Sequence, residues 1–405
     1  MTTAENLNRI IKAKSDIKQA IENKGVTVGD MTIDGYAAKI NEIPQEVTGK
    51  WLMPNGTKFS ESTWKEFDGK NMNPSNLTLL NGTFQNCIWV ETIDLTGWNV
   101  IKPTQMSGTF WGCPKLTNII GIEDLDSSEC DMISGVFYDT KLNTLDLSKW
   151  DVSKSTTFGS LFHNCSSLTN LDLTGWQTTN TIYIYNLFQN CYHLTEIKGI
   201  ENLDFSNVDT MYSAFYNAQK LENLDLSQWG ISKAKSYSNL FNSCYHLKSL
   251  NLSGWNTEIV TNLENTFYSC SDLSDLNLTG WSTQNVTNMQ GTFYNCQSLT
   301  SFDFLKNWNV GKVTTMENLF RICKGVTSID LSNWNTERLT NVKGMFYGCE
   351  NLTEVKMGGD VSKISSVSGM FGNITTTGTF YYNSQYDYSK IIAQLPSTWT
   401  AVPME

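Results

Sequence analysis

One residue sets the frame of this chain. A phenylalanine returns every 25–27 residues, at Phe84, Phe110, Phe137, Phe162, Phe188, Phe215, Phe241, Phe267, Phe293, Phe320, Phe346 and Phe371. Self-similarity at that period marks a solenoid, whose units each touch only their neighbours. It overrides the two or three globular domains that 405 residues would otherwise suggest.

Other columns travel with the Phe. Three residues after it come Cys87, Cys113, Cys165, Cys191, Cys244, Cys270, Cys296, Cys323 and Cys349, with Thr140, Ala218 and Ile374 as exceptions. A Leu-x-x-Leu-Asp-Leu pattern follows, as at Leu168, Leu171, Asp172 and Leu173, and then a Trp: Trp98, Trp150, Trp176, Trp229, Trp255, Trp281, Trp308 or Trp334. An apolar residue such as Met106, Met211 or Met289 stands four before the Phe.

Leu-Asp-Leu alternates with period two and predicts a short strand, both Leu inward and the middle residue outward. The Met-x-x-x-Phe spacing is one helical turn and predicts a short helix or 3₁₀ return. The fold class expected is therefore an α/β-type solenoid of the leucine-rich-repeat kind. It has a parallel β-sheet, short helical or irregular returns and about 12 coils. Around Ile119–Leu125 and Ile197–Leu203 one residue is inserted and Leu replaces Trp, with Gly121 and Gly199 suggesting a bulge that bends the ladder without ending it.

The repeats have relatives. Segments such as LNLSGWNTEIVTNLENTFYSCSDL and IDLSNWNTERLTNVKGMFYGCENL resemble the BspA-like leucine-rich repeats over residues 77–357. That family is common in surface proteins of gut bacteria and mycoplasmas and in phages of gut bacteria; the likeness implies a fold and leaves function open. The opening LNRIIKAKSDIKQAIENKGVTVGDMTIDGYAAKINEI resembles an N-terminal helical segment of structural, fibre-type proteins of tailed phages. Its own pattern supports two helices. Leu7, Ile10, Ile11, Ile17 and Ile21 share a face of the first; Tyr36, Ala37, Ile40 and Ile43 suit the second.

Four parts follow: residues 1–45 as a helical docking or oligomerisation segment, 46–76 as linker and N-terminal cap, 77–357 as solenoid, and 358–405 as last coil and C-terminal cap. Asn55-Gly56 is a hairpin signal within the first cap. TGTFYYN reads as a strand and YDYSKIIAQL as a helix in the second.

Little in the chain suggests chemistry. The net charge of −11 with scattered Lys and Arg argues against nucleic-acid binding. No apolar run is long enough to span a bilayer, so membrane insertion is not expected. The start, MTTAENLNRIIKAKSDIK, lacks the apolar run of a secretory signal. His163, His193 and His246 lie in different coils, and no catalytic triad, phosphate loop or metal-binding Cys-x-x-Cys is present. No enzymatic activity and no cofactor are expected. The ten Cys occupy core positions, Cys130 replacing a column of Val208, Val260, Val286 and Val313; they read as free, buried thiols.

Two outward columns are candidates for binding. Asp94, Asp146, Asp172, Asp225, Asn251, Asn277, Asp303 and Asp330 form the middle of the strand motif. They either bind nearby backbone N–H groups or make an acidic stripe. Trp111, Tyr138, Tyr216, Tyr268, Tyr294 and Tyr347 follow the repeat Phe and form an aromatic flank, unless they pack on the next coil. The partners expected are other virion proteins through the N-terminal helices and a bacterial surface protein or glycan through the solenoid. A homo-oligomer, taken as a trimer, is expected as well. The setting expected is a phage virion released by lysis, with a bacterial surface adhesin or cytosolic interaction scaffold as the alternative.

Overall fold

The computed structural model describes residues 51–52, 57–59, 65–75, 77–98 and 101–404. The N-terminal face of Leu7, Ile10, Ile11, Ile17 and Ile21, and Asn55-Gly56, lie outside the described residues. The described part of a smaller unit (residues 1–52 with 71–73) is a parallel pairing of Trp51–Leu52 with Met72–Asn73. A larger unit (53–70 and 74–405) carries the repeats.

The Leu-Asp-Leu motif forms the expected strand. In Thr144–Asp146, Leu145 is buried between exposed Thr144 and Asp146, and Leu147 just beyond is buried again. Strands pair in parallel with the equivalent residues of the next coil. Leu145 faces Leu171, which faces Ile197; Leu224 faces Leu250, which faces Leu276. The larger unit is thus a leucine-rich-repeat parallel solenoid of about twelve coils.

Glu66–Asp68 adds a strand ahead of the first Phe coil, pairing with Thr92–Asp94. At the far end Gly378–Asn383 is the expected strand and Ser389–Ile392 a short helix. Trp399–Met404 is a further six-residue strand that the sequence pattern did not announce. It contains Pro403, whose missing N–H suits an edge position.

The sheet is interrupted three times. The breaks fall after Asn118–Ile120, Glu196–Lys198 and Asp275–Asn277. At the first two, Gly121 (φ 81°) and Gly199 (φ 82°) turn left-handed and open 3₁₀ turns, Ile122–Asp124 and Ile200–Asn202. The expected bulge is therefore a left-handed cap, and Leu125 and Leu203 fill the Trp position as buried residues. At the third, Asp303–Asn307 is 3₁₀ where a strand was expected.

The return is neither α-helix nor a regular 3₁₀ run. Around Phe162, Phe158, Ser160, Phe162 and Asn164 donate their N–H groups to Tyr183, Tyr185, Leu187 and Gln189 of the next coil. The residues between, Leu161, His163 and Cys165, donate three residues back to Phe158, Ser160 and Phe162. A helix would spend every amide on itself and leave the coils unjoined. Left-handed residues redirect alternate amides. They stand two before and two after every repeat Phe, as Ser160 (φ 55°) and Asn164 (φ 60°) do here. These columns are almost entirely Gly, Asn, Ser or Asp, the residues that tolerate positive φ.

One residue breaks that rule. Ile322, a β-branched residue, sits at φ 62° where nine of the other eleven coils have Asn, Gly or Asp and two have Ser. Replacing Ile322 with Asn is expected to raise stability by about 1 kcal/mol through relief of left-handed strain. A higher urea midpoint at unchanged slope would show it.

Like residues stack inside. All twelve repeat Phe rings form one unbroken ladder, from Phe84–Phe110 at 5.6 Å to Phe346–Phe371 at 5.3 Å. Trp229, Trp255, Trp281 and Trp308 stack beside it at 6.2, 6.4 and 6.5 Å. Indole N–H groups are satisfied across coils, as Trp176 Nε1 to the Leu147 carbonyl at 2.9 Å.

Candidate functional site

The side-chain oxygen of Asp146 accepts the Ser148 N–H at 2.9 Å, and Asp172 accepts that of Thr174 at 3.0 Å. Asp94, Asp225, Asn251, Asn277 and Asp330 take the N–H two residues on in the same way. The column therefore closes a turn at the strand end in seven of eight coils. The hydroxyl and N–H of Ser148 hold the Asp146 carboxyl below the usual carboxylate range. Asp225 is lowered by the same two groups of Ser227.

Asp303 is the exception. It opens the 3₁₀ turn instead of ending a strand, and its carboxylate pairs with Lys306 at 2.6 Å. Asp94 is nearly buried. Burial raises its carboxyl, but Lys70 at 2.8 Å and the Thr96 bonds outweigh that and leave it lowered. The column therefore has a structural role in each coil, and its outer edges still face solvent over the middle of the solenoid.

The aromatic flank divides into two stretches. Trp111 stacks on Tyr138 at 4.5 Å, and Tyr138 meets His163 at 4.5 Å. Farther along, Tyr268 stacks on Tyr294 at 4.1 Å, and Arg321 lies over Tyr347 at 3.8 Å and reaches toward Tyr294 at 5.9 Å. Tyr216 is half-buried in the same column. Trp111, Tyr138, Tyr268 and Tyr294 pack on rings of neighbouring coils. Trp111 remains 41% exposed.

Sequence reading missed two further rings on this face. Tyr183 and Tyr212, five and three residues before their repeat Phe, are 41% and 42% exposed. Tyr185 stacks on Tyr212 at 5.6 Å. They escaped notice because the first column is aromatic in one coil and the second in two, so no repetition advertises them.

The three histidines lie apart from one another among the described residues. His246 pairs with Asp272 at 3.0 Å on the surface, and His193 Nδ1 lies 2.6 Å from the Ser166 carbonyl oxygen. His163 is half-buried beside Tyr138, and burial lowers its pKa. Among the described residues no group of His, Cys, Asp and Glu could hold a metal, and no helix is long and apolar enough to cross a membrane.

The ten Cys are all free and buried. Each column thiol donates to the carbonyl of a Phe one coil back, as Cys165 Sγ to Phe137 at 3.0 Å and Cys270 Sγ to Phe241 at 3.1 Å. Burial pushes the Cys165, Cys244 and Cys349 thiols up to about 12. Thiolate, the reactive form, is therefore absent near neutral pH. Ellman's reagent is expected to find no fast-reacting thiol in the folded protein at pH 8 and all ten in denaturant.

A family model described as "Mycoplasma protein of unknown function, DUF285" matches residues 78–197, 183–301 and 261–381. The chain belongs to that family. The matches overlap because the model spans several coils and the repeat lets it slide along the solenoid. Solved structures are similar at lower identity. A leucine-rich repeat protein from Bacteroides ovatus is 15% identical over 80% of this chain and 86% of its own, with TM-score 0.38. A leucine rich cell surface protein from Faecalibacterium prausnitzii is 17% identical over 79% and 90%, with TM-score 0.36. The pneumococcal vaccine antigen PcpA is 14% identical over 89% and 91%, with TM-score 0.35. No curated protein matches the chain.

Proposed function

We propose that this protein is a non-enzymatic interaction protein of the adhesin type, displayed at a bacterial surface, with the solenoid as its binding element. One observation carries the reading. The inward columns repeat from coil to coil, while the outward columns change. A surface that varies over a constant core is what a recognition scaffold needs. The surface setting is what the BspA-like resemblance implies.

The virion reading rests on residues 1–45, outside the described residues, and no observation on the solenoid adds to it. Immunogold labelling with an antibody to residues 77–357 separates the readings. Label along the envelope of intact source cells is expected. Label confined to the cytoplasm would overturn the surface reading, and label on purified phage particles would replace it with the virion one.

A further inference from the structure

The two halves of the return face differ in charge. Four successive return segments, residues 131–140, 156–165, 182–191 and 209–218, contain no Lys or Arg, and their only charges are Asp131, Asp139 and Asp209. The matching columns farther along hold Lys235, Glu264, Glu317, Arg321 and Lys343. There Asn288 and Asn341 tie down the two Glu, Lys343 pairs with Glu317, and Arg321 covers the Tyr347 ring. One stretch is closed by its own contacts and the other is open.

The open stretch presents rings. Met132, Tyr183 and Tyr212 are each about 40% exposed. Gly159 makes room among them. A Cβ there would stand 2.5 Å from Cζ of Tyr185, so the Tyr185 ring lies across bare backbone. Half-buried Ser134, Thr210 and Gln189 add polar groups beside the rings; the hydroxyls of Ser134 and Thr210 donate to Ser107 and Asp209 and keep their acceptor lone pairs for a ligand.

We propose that this face, from Met132 to Tyr216, binds a neutral glycan chain. The inference rests on the interaction reading above and names the ligand class for it. Sugars offer apolar C–H faces that pack on rings and hydroxyls that pair with hydroxyls, amides and carboxylates. Three border carboxylates and no base oppose an anionic glycan by like-charge repulsion. A protein partner would call for a continuous apolar centre, which Ser, Thr and Gly interrupt here. Burial keeps the one histidine of the face, His163, toward its neutral form.

Affinity electrophoresis of the full chain tests this, with gels containing a neutral α-glucan, β-glucan or galactomannan, or heparin. Retardation by at least one neutral polysaccharide is expected, unchanged at high salt. The Tyr185→Ala, Tyr212→Ala double variant should bind at least tenfold more weakly, while Tyr294→Ala on the closed stretch should bind normally. Thermal melts show that each variant is folded. Retardation by heparin alone, by no neutral polysaccharide, or equally by the double variant would overturn the proposal. Labelled chain on source-environment cells separates the two readings. Adhesion that survives the double variant sinks the glycan site and leaves the adhesin reading standing.

Discussion

Replacing Trp229 with alanine is expected to destabilise the protein by about 3–5 kcal/mol. The ring is fully buried, edge-on to Phe205 at 4.7 Å and stacked near Phe215 at 5.8 Å and Trp255 at 6.2 Å. Its Nε1 donates to the Ile200 carbonyl at 2.9 Å, so truncation leaves both a cavity and an orphaned acceptor. Phenylalanine at the same site keeps most of the volume and loses the hydrogen bond, and should cost less than half as much. Trp229 also follows the irregular Gly199 coil, where the sheet is already broken. Coils interact only with neighbours, so the loss should split urea unfolding into two transitions rather than lower one midpoint uniformly. Circular dichroism and tryptophan fluorescence followed in parallel would resolve them.

The second large effect lies in a glycine. Gly199→Ala is expected to cost about 2–5 kcal/mol, the sum of left-handed strain and overpacking. Its Cβ would stand 2.9 Å from N and Cα of Thr174 and 3.1 Å from the Leu173 carbonyl carbon, all backbone. Gly280 provides the control. It has φ 90°, but a Cβ there meets nothing within 4 Å. Gly280→Ala should therefore cost only the strain, about 1–2 kcal/mol. The gap between the two variants in urea unfolding measures the close approach alone. Equal costs would show that the Gly199 coil can shift away from its neighbour.

These two sites mark how far the sequence could be read. Burial in a solenoid writes the same residue into the same column, so the Phe, Cys and Trp ladders were legible at once. The irregular coils at Gly121 and Gly199 were located correctly, but a glycine alone does not distinguish a bulge from a left-handed cap. The return was legible only as helical or irregular, for a physical reason. Met-x-x-x-Phe spacing fits a helical turn, while the evidence against a helix lay in two quieter columns. Those are the Asn, Gly and Ser residues two before and two after each Phe, as at Asn186 and Asn190. Of the strand-face column, Asp94 is buried rather than outward, and Asp303 leaves the strand because its coil has one extra residue before Trp308. Outward residues such as Tyr183 and Tyr212 were invisible to column reading, since recognition depends on what does not repeat.

Fold and recognition are written in separate columns of the repeat. Equilibrium unfolding of a Tyr183→Ser, Tyr185→Ser, Tyr212→Ser variant tests this separation most directly, because Ser236 and Ser238 already occupy two of those columns in a neighbouring coil. One folded, cooperative protein is expected, destabilised by less than about 1.5 kcal/mol, the worth of the lost ring stacking. A loss as large as that of Trp229→Ala would contradict it, and would return these rings to the core.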